Sequence, residues 1–360
     1  MAKNYSFLVD RVKSRSNPEN LSYTKLFGED FNRDYLNVSG NKILEYIKLS
    51  MQGVGKEYTD KSFQAGDAVK THLSSVLSSV NYEYQGSVMT NTHIKGNSDI
   101  DLLVISNRSY FFDYDIKSKY EETIRYFNLN ESQKQRVNEH LNATSYSGNT
   151  LQDLRNNRIN SETKLESVYT IFNNEKPKCI QITNQNVHRD VDIVFASWHK
   201  TFEGLKEANN KKNKIKIYDY HQHELGRVES PFISIDLINT KDAYVNGRLK
   251  KMIRFIKTIK ADSEVDINLS SFDINAICFN IPIDKYQDKI YSELVKVIYD
   301  EFCKIITDEN YRNSIKSVDG SEFIFYGKED KLLRISQIVS EIDYLRKELE
   351  KNTLITRIYS

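Results

Sequence analysis

The chain has 360 residues, more than one ordinary domain of roughly 100–200 residues, and its 39% hydrophobic and 28% charged content with only 4 prolines excludes a disordered chain; two lobes are expected. Basic and acidic residues nearly cancel, 51 against 50, so no global positive field exists to hold a nucleic-acid polymer non-specifically. Cys179, Cys278 and Cys303 suit neither a disulfide framework nor a zinc site, and no apolar run fits a signal peptide or a bilayer span, so a cytoplasmic protein with no membrane partner is expected.

In chain order, residues 1–40 read as an N-terminal extension, 41–230 as the lobe carrying the chemistry and 231–360 as a helical lobe. Ile43, Leu44 and Ile47, then Val69, Leu73, Val76 and Leu77, recur at helical spacing, with a break at Gly53-Val54-Gly55. That break is not a P-loop, because Lys56 is followed by Glu57. From Tyr82 to Ser106 the pattern becomes strand, glycine turn and a second strand, Asp101-Leu102-Leu103-Val104-Ile105. Residues 107–178 read as helices and loops decorating a sheet. A hairpin is expected at 179–196, turning at Asn184-Gln185-Asn186, and a short strand at Ile215–Tyr218. The remainder reads as largely helical. Ile335, Ile338, Ile342, Leu345 and Leu349 mark an amphipathic C-terminal helix that packs on its own lobe, docking to a regulatory protein partner being the alternative.

The segment that carries chemistry is Gly86-Ser87, eleven residues, then Asp99-Ile100-Asp101-Leu102. Side chains alternate along a strand, so Asp99 and Asp101 share one face, about 7 Å apart, while Ile100 and Leu102 point into the core. Two such carboxylates repel unless a cation sits between them, which is the geometry of a magnesium pair that stabilises the attacking and leaving oxygens of a phosphoryl displacement; manganese is the alternative ion. Arg189-Asp190-Val191-Asp192-Ile193 supplies the third carboxylate; Asp192, flanked by apolar residues, is preferred over Asp190. Gly86 permits close backbone approach. Ser87 is expected to open a short helix through Val88 and Met89, whose first amides with the Ser87 hydroxyl would meet triphosphate oxygens.

Gln85-Gly86-Ser87 followed by Thr92-His93-Ile94-Lys95-Gly96-Asn97-Ser98-Asp99-Ile100-Asp101-Leu102 resembles the signature of bacterial CD-NTases, relatives of animal cyclic GMP-AMP synthase and oligoadenylate synthase. Gly247-Arg248-Leu249-Lys250-Lys251-Met252-Ile253-Arg254-Phe255-Ile256-Lys257 and Leu269-Ser270-Ser271-Phe272 resemble helical-lobe motifs of the same family. The resemblance implies an α+β fold: a polymerase-β-like nucleotidyltransferase sheet with a C-terminal helical lobe. It implies Lys257 and Ser271 as contacts of the donor triphosphate. The implied activity is synthesis of a cyclic di- or trinucleotide from nucleoside triphosphates with release of pyrophosphate. The implied setting is bacterial anti-phage signalling, in which the product activates a separate effector protein. Periodicity alone puts Lys250, Arg254 and Lys257 on one helix face, ordinarily a solvated one.

Two other readings stay open at this point: transfer to a different acceptor, such as an RNA end, a small molecule or a protein, and a nucleotide-binding pseudoenzyme. His93, His188 and His199 are expected to be structural or close to substrate. His221 and His223 are expected on a strand, as a polar surface segment.

Overall fold

In the computed structural model, residues 4–15, 41–96, 99–126 and 129–359 are described. The chain divides into two compact units: residues 60–89 with 99–236, and residues 1–59 with 90–98 and 237–360. The first is built on a sheet and the second on helices.

Among the described residues the sheet unit has seven strands: β1 (Val80–Gln85), β2 (Ile100–Phe112), β3 (Phe172–Asn173), β4 (Cys179–Asn184), β5 (Arg189–Lys200), β6 (Lys214–Asp219) and β7 (Glu224–Glu229). Their order is β1-β2-β5-β4-β3, with β6 also paired to β5 and β7 to β6. Of these pairs β2–β5 is parallel and the others are antiparallel. Period-two alternation gives these strands two apolar faces. On one, Ile100, Leu102, Val104, Ile180, Ile182, Val191, Ile193 and Phe195 pack with Ala65, Val69, Leu73, Leu154 and Leu165 from helices. On the other, Leu103, Ile105, Cys179, Val194, Ala196, Trp198 and Ile215 cluster together. Asp101 and Asp192 have the parity of the second face.

The expected hairpin is β4–β5, and the expected stretch of decorating helices contains Ile116–Tyr126, Glu131–Leu141 and Thr150–Glu166. β2 runs on to Phe112, well past the expected strand end. His221 and His223 lie in the turn between β6 and β7, not on a strand, and His223 takes a left-handed φ of 53° while its Nδ1 meets the Tyr218 hydroxyl at 2.7 Å.

In the helical unit, Tyr5–Arg15, Lys42–Met51, Arg248–Asp262, Ser271–Asn280, Tyr291–Thr307 and Asp330–Tyr359 are the main helices. One core cluster joins Val9, Ile47, Met51, Met252, Phe255, Ile256, Ile277, Ile298, Phe302, Ile335, Ile338 and Ile342. The C-terminal helix therefore packs on its own unit, as its spacing predicts. The division differs from the expected 1–40, 41–230 and 231–360. Residues 41–59 group with the helices because Ile43, Tyr46, Ile47, Leu49 and Met51 bury in that core. The helix Tyr5–Arg15 belongs there too, and residues 1–3 and 16–40 of the expected extension lie outside the described residues. Among the described residues no helix is long and apolar enough to cross a membrane.

The basic stripe of Arg248–Asp262 is not a solvated face. Arg254 is 7% exposed, and its guanidinium donates to the Met51 carbonyl at 2.8 Å and to the Asn91 carbonyl at 2.7 Å. Burial pushes its pKa down to about 10, still charged at neutral pH. A planar fork matches two fixed carbonyls where a point charge does not. Arg254→Ala, which leaves both carbonyls without that donor, is expected to lower unfolding stability by about 3 kcal/mol, read by urea denaturation.

Candidate active site

The three candidate carboxylates sit on or just before strands whose pairing brings them to one face. In the parallel pair, Asp101 lies directly opposite Asp192, and neighbouring strands are about 4.8 Å apart. Gln181 of β4 lies opposite Asp192 on its other side. Asp99 immediately precedes β2 and accepts a hydrogen bond on Oδ2 from Gln181 Nε2 at 3.3 Å, which fixes its carboxylate on the same face.

Electrostatics reflects how close these groups are. Burial raises the pKa of Asp99 above the ordinary carboxylate range, and repulsion from Asp192 and Asp190 raises it further, against the opposing pull of Lys176 and Gln181. Asp192 is likewise raised by burial and by Asp190 even though the Lys176 ammonium stands 3.7 Å from its Oδ2. Asp192 Oδ1 is buried and has no hydrogen-bond partner. Asp190 accepts a hydrogen bond from the Thr183 hydroxyl across the β4–β5 pair. Among the described residues no group of three or more His, Cys, Asp or Glu side chains is placed to hold a metal ion. The carboxylates form a crowded, hard-oxygen set with one unsatisfied acceptor, the donor chemistry that a hard divalent cation would take.

Gly86 ends β1 beside this cluster, since Gln85 pairs with Asp101. Its φ is +80°, and a Cβ built there would lie 2.0 Å from Asp101 Oδ2. Only glycine lets the backbone come this near to the carboxylate. Ser87 to Asn91 form turns, not the expected helix; Gly86 and Asn91, both left-handed, bound too short a segment for one. The loop amides therefore do not gain a helix N-terminus.

The other expected residues lie in the helical unit. Lys257 is 6% exposed, with Nζ 3.5 Å from Thr92 Oγ1. Ser271 is exposed at the start of its helix, capped by the Ser270 hydroxyl accepting from the Asp273 amide at 3.0 Å. Phe272 is 42% exposed. His93 is fully buried, with Nε2 3.1 Å from Thr59 Oγ1, and His199 Nε2 is 2.8 Å from Asp113 Oδ1; both are structural in these settings. Two residues of the carboxylate cluster escape sequence reasoning. Gln181 is legible in principle, three residues before the hairpin turn and so in register with Asp192. Lys176 has no local signal.

Residues 236–346 match the family model of the cGAS/DncV-like nucleotidyltransferase C-terminal helical domain. The chain is 43% identical to a c-di-GMP synthase of Capnocytophaga granulosa, over 97% of this chain and 98% of that protein. It belongs to the CD-NTase family. A c-di-GMP synthase of a Lachnospiraceae bacterium is 39% identical to this CD-NTase over 96% of the chain and 98% of the relative. The solved structure of a STING-associated CdnE c-di-GMP synthase from Flavobacteriaceae sp. superposes on it with a TM-score of 0.82 at 36% identity, covering 98% of this chain and 100% of that one. The α+β architecture, a nucleotidyltransferase sheet with a helical C-terminal part, is therefore that of the family.

Proposed function

We propose that this CD-NTase joins two nucleoside triphosphates into a cyclic dinucleotide second messenger, with cyclic di-GMP as the product. A ribose hydroxyl of one nucleotide attacks the α-phosphorus of the other. The new phosphorus–oxygen bond forms as the bond to pyrophosphate breaks, the hydroxyl proton is lost, and a second round of the same step closes the ring. The observation that carries the reading is the in-register pairing of Asp101 with Asp192 beside Asp99; full-length similarity to named synthases supports the product.

In this reading Asp99, Asp101 and Asp192 hold the metal. Bound there, magnesium supplies charge neutralisation of the phosphates and makes the attacking hydroxyl more acidic. Asp192 would complete the site that activates the attacking hydroxyl, and Gln181 keeps Asp99 turned toward the cluster. Gly86 and Ser87 present backbone and hydroxyl to the phosphates. Lys257 and Ser271 are assigned to the donor triphosphate through the family resemblance. The product acts on a separate effector protein in anti-phage signalling, a role that the STING-associated name of one relative supports.

Incubation of the purified chain with the four triphosphates and magnesium, followed by mass spectrometry, should give a phosphatase-resistant cyclic dinucleotide containing guanine. The Asp99→Asn/Asp101→Asn double variant should give none while retaining its circular dichroism spectrum. Transfer to an added RNA or protein, or full activity in the double variant, would reject the proposal.

A further inference from the structure

Lys176 lies in the segment between β3 and β4, outside any regular element, yet its position is tightly built. Arg158, only 1% exposed on the helix Thr150–Glu166, donates to three carbonyls of that segment: Asn174 at 2.8 Å, Lys176 at 3.1 Å and Pro177 at 3.2 Å. Its Nε is held by Glu162 Oε1 at 2.7 Å, and the Tyr220 amide donates to the Pro177 carbonyl at 2.8 Å. A buried guanidinium fully engaged in this way fixes backbone, not surface decoration. The result is that the Lys176 ammonium is delivered to within 3.7 Å of Asp192 Oδ2 while its side chain remains 44% exposed, with room to swing outward.

We propose that Lys176 is a built-in counter-ion of the carboxylate cluster, pairing with Asp192 in the absence of a divalent cation and displaced when one binds. The inference rests on the reading of that cluster as a metal site. An ammonium beside Asp192 neutralises part of the charge that would otherwise draw in a bare ion, and a second cation entering the cluster must push it away. Lys176 thereby disfavours the metal-loaded, nucleotide-free enzyme. A triphosphate offers the displaced ammonium a new anionic partner, so nucleotide and metal favour each other's binding by linkage.

The test is Mn2+ binding to the full chain without nucleotide, read as free Mn2+ by electron paramagnetic resonance. Lys176→Gln should tighten the dissociation constant by about 3- to 10-fold, a range set by one partly solvated charge at close distance. Lys176→Arg, which keeps the charge, should bind as the wild type does. A structural role for Lys176 would weaken binding in both variants, and that result, or an unchanged constant in Lys176→Gln, overturns the counter-ion role. Asp192→Asn provides the separate control. If it binds Mn2+ as tightly as wild type, the carboxylate site itself is wrong; if it weakens binding while Lys176→Gln has no effect, only the counter-ion proposal fails.

Discussion

Asp192→Asn is expected to abolish dinucleotide synthesis, by at least about a thousandfold, and at the same time to raise the melting temperature of the metal-free protein. The two effects have one cause. Asp192 faces Asp101 across a parallel strand pair, interacts with Asp99 and Asp190, and keeps one carboxylate oxygen buried without a partner. A neutral amide of the same shape removes a repelling charge from this group. Because the folded-state pKa values of Asp99 and Asp192 lie above the ordinary carboxylate range, the penalty is absent at acid pH, below the unfolded value. It grows as pH rises from the unfolded value toward the folded one and is fully present above the folded one. In EDTA at neutral pH the variant should therefore melt about 2–4 °C higher than wild type, with the gap closing toward pH 4. A lower melting point at neutral pH would show that Asp192 is a structural residue.

Gly86→Ala should also damage activity severely although it adds a single methyl group. The methyl would sit 2.0 Å from Asp101 Oδ2 and 3.1 Å from its Cγ, so either the carboxylate rotates away or β1 moves off β2. Displacing a carboxylate proposed to hold the metal by about 1 Å is worth roughly a hundredfold in turnover. The left-handed φ adds backbone strain of about 1–2 kcal/mol. Gly320→Ala separates the two effects, since Gly320 has a similar φ of +73° and nothing within 4 Å of its would-be Cβ. It should lose similar stability and keep full activity. Equal loss of activity in both variants would mean that strain, not contact with Asp101, explains Gly86.

The parts of the site that sequence alone reveals are those fixed by local rules. Alternation puts Asp99 and Asp101 on one face, and three-four spacing draws the C-terminal helix onto its own core. What escapes depends on contacts distant in sequence. Nothing near Asp101 announces that its parallel neighbour is Asp192. The stripe of Lys250, Arg254 and Lys257 reads as solvated because its spacing says nothing of the Met51 and Asn91 carbonyls that bury Arg254. Residues 41–59 follow the helical unit because their apolar face matches that core, which periodicity can detect but not assign. Ser87 is a good helix-start residue, yet left-handed backbone at Gly86 and Asn91 leaves only turns between them. Lys176 is invisible in the sequence because the residue that positions it, Arg158, stands 18 places earlier on another element.

The measurement that bears most directly on the whole account is anomalous diffraction from crystals grown with Mn2+ and a non-hydrolysable guanosine triphosphate analogue. Manganese peaks about 2.1 Å from carboxylate oxygens of Asp99, Asp101 and Asp192 are the expected result. Manganese bound elsewhere with these three side chains left bare, under conditions where the analogue is seen in the density, would contradict it.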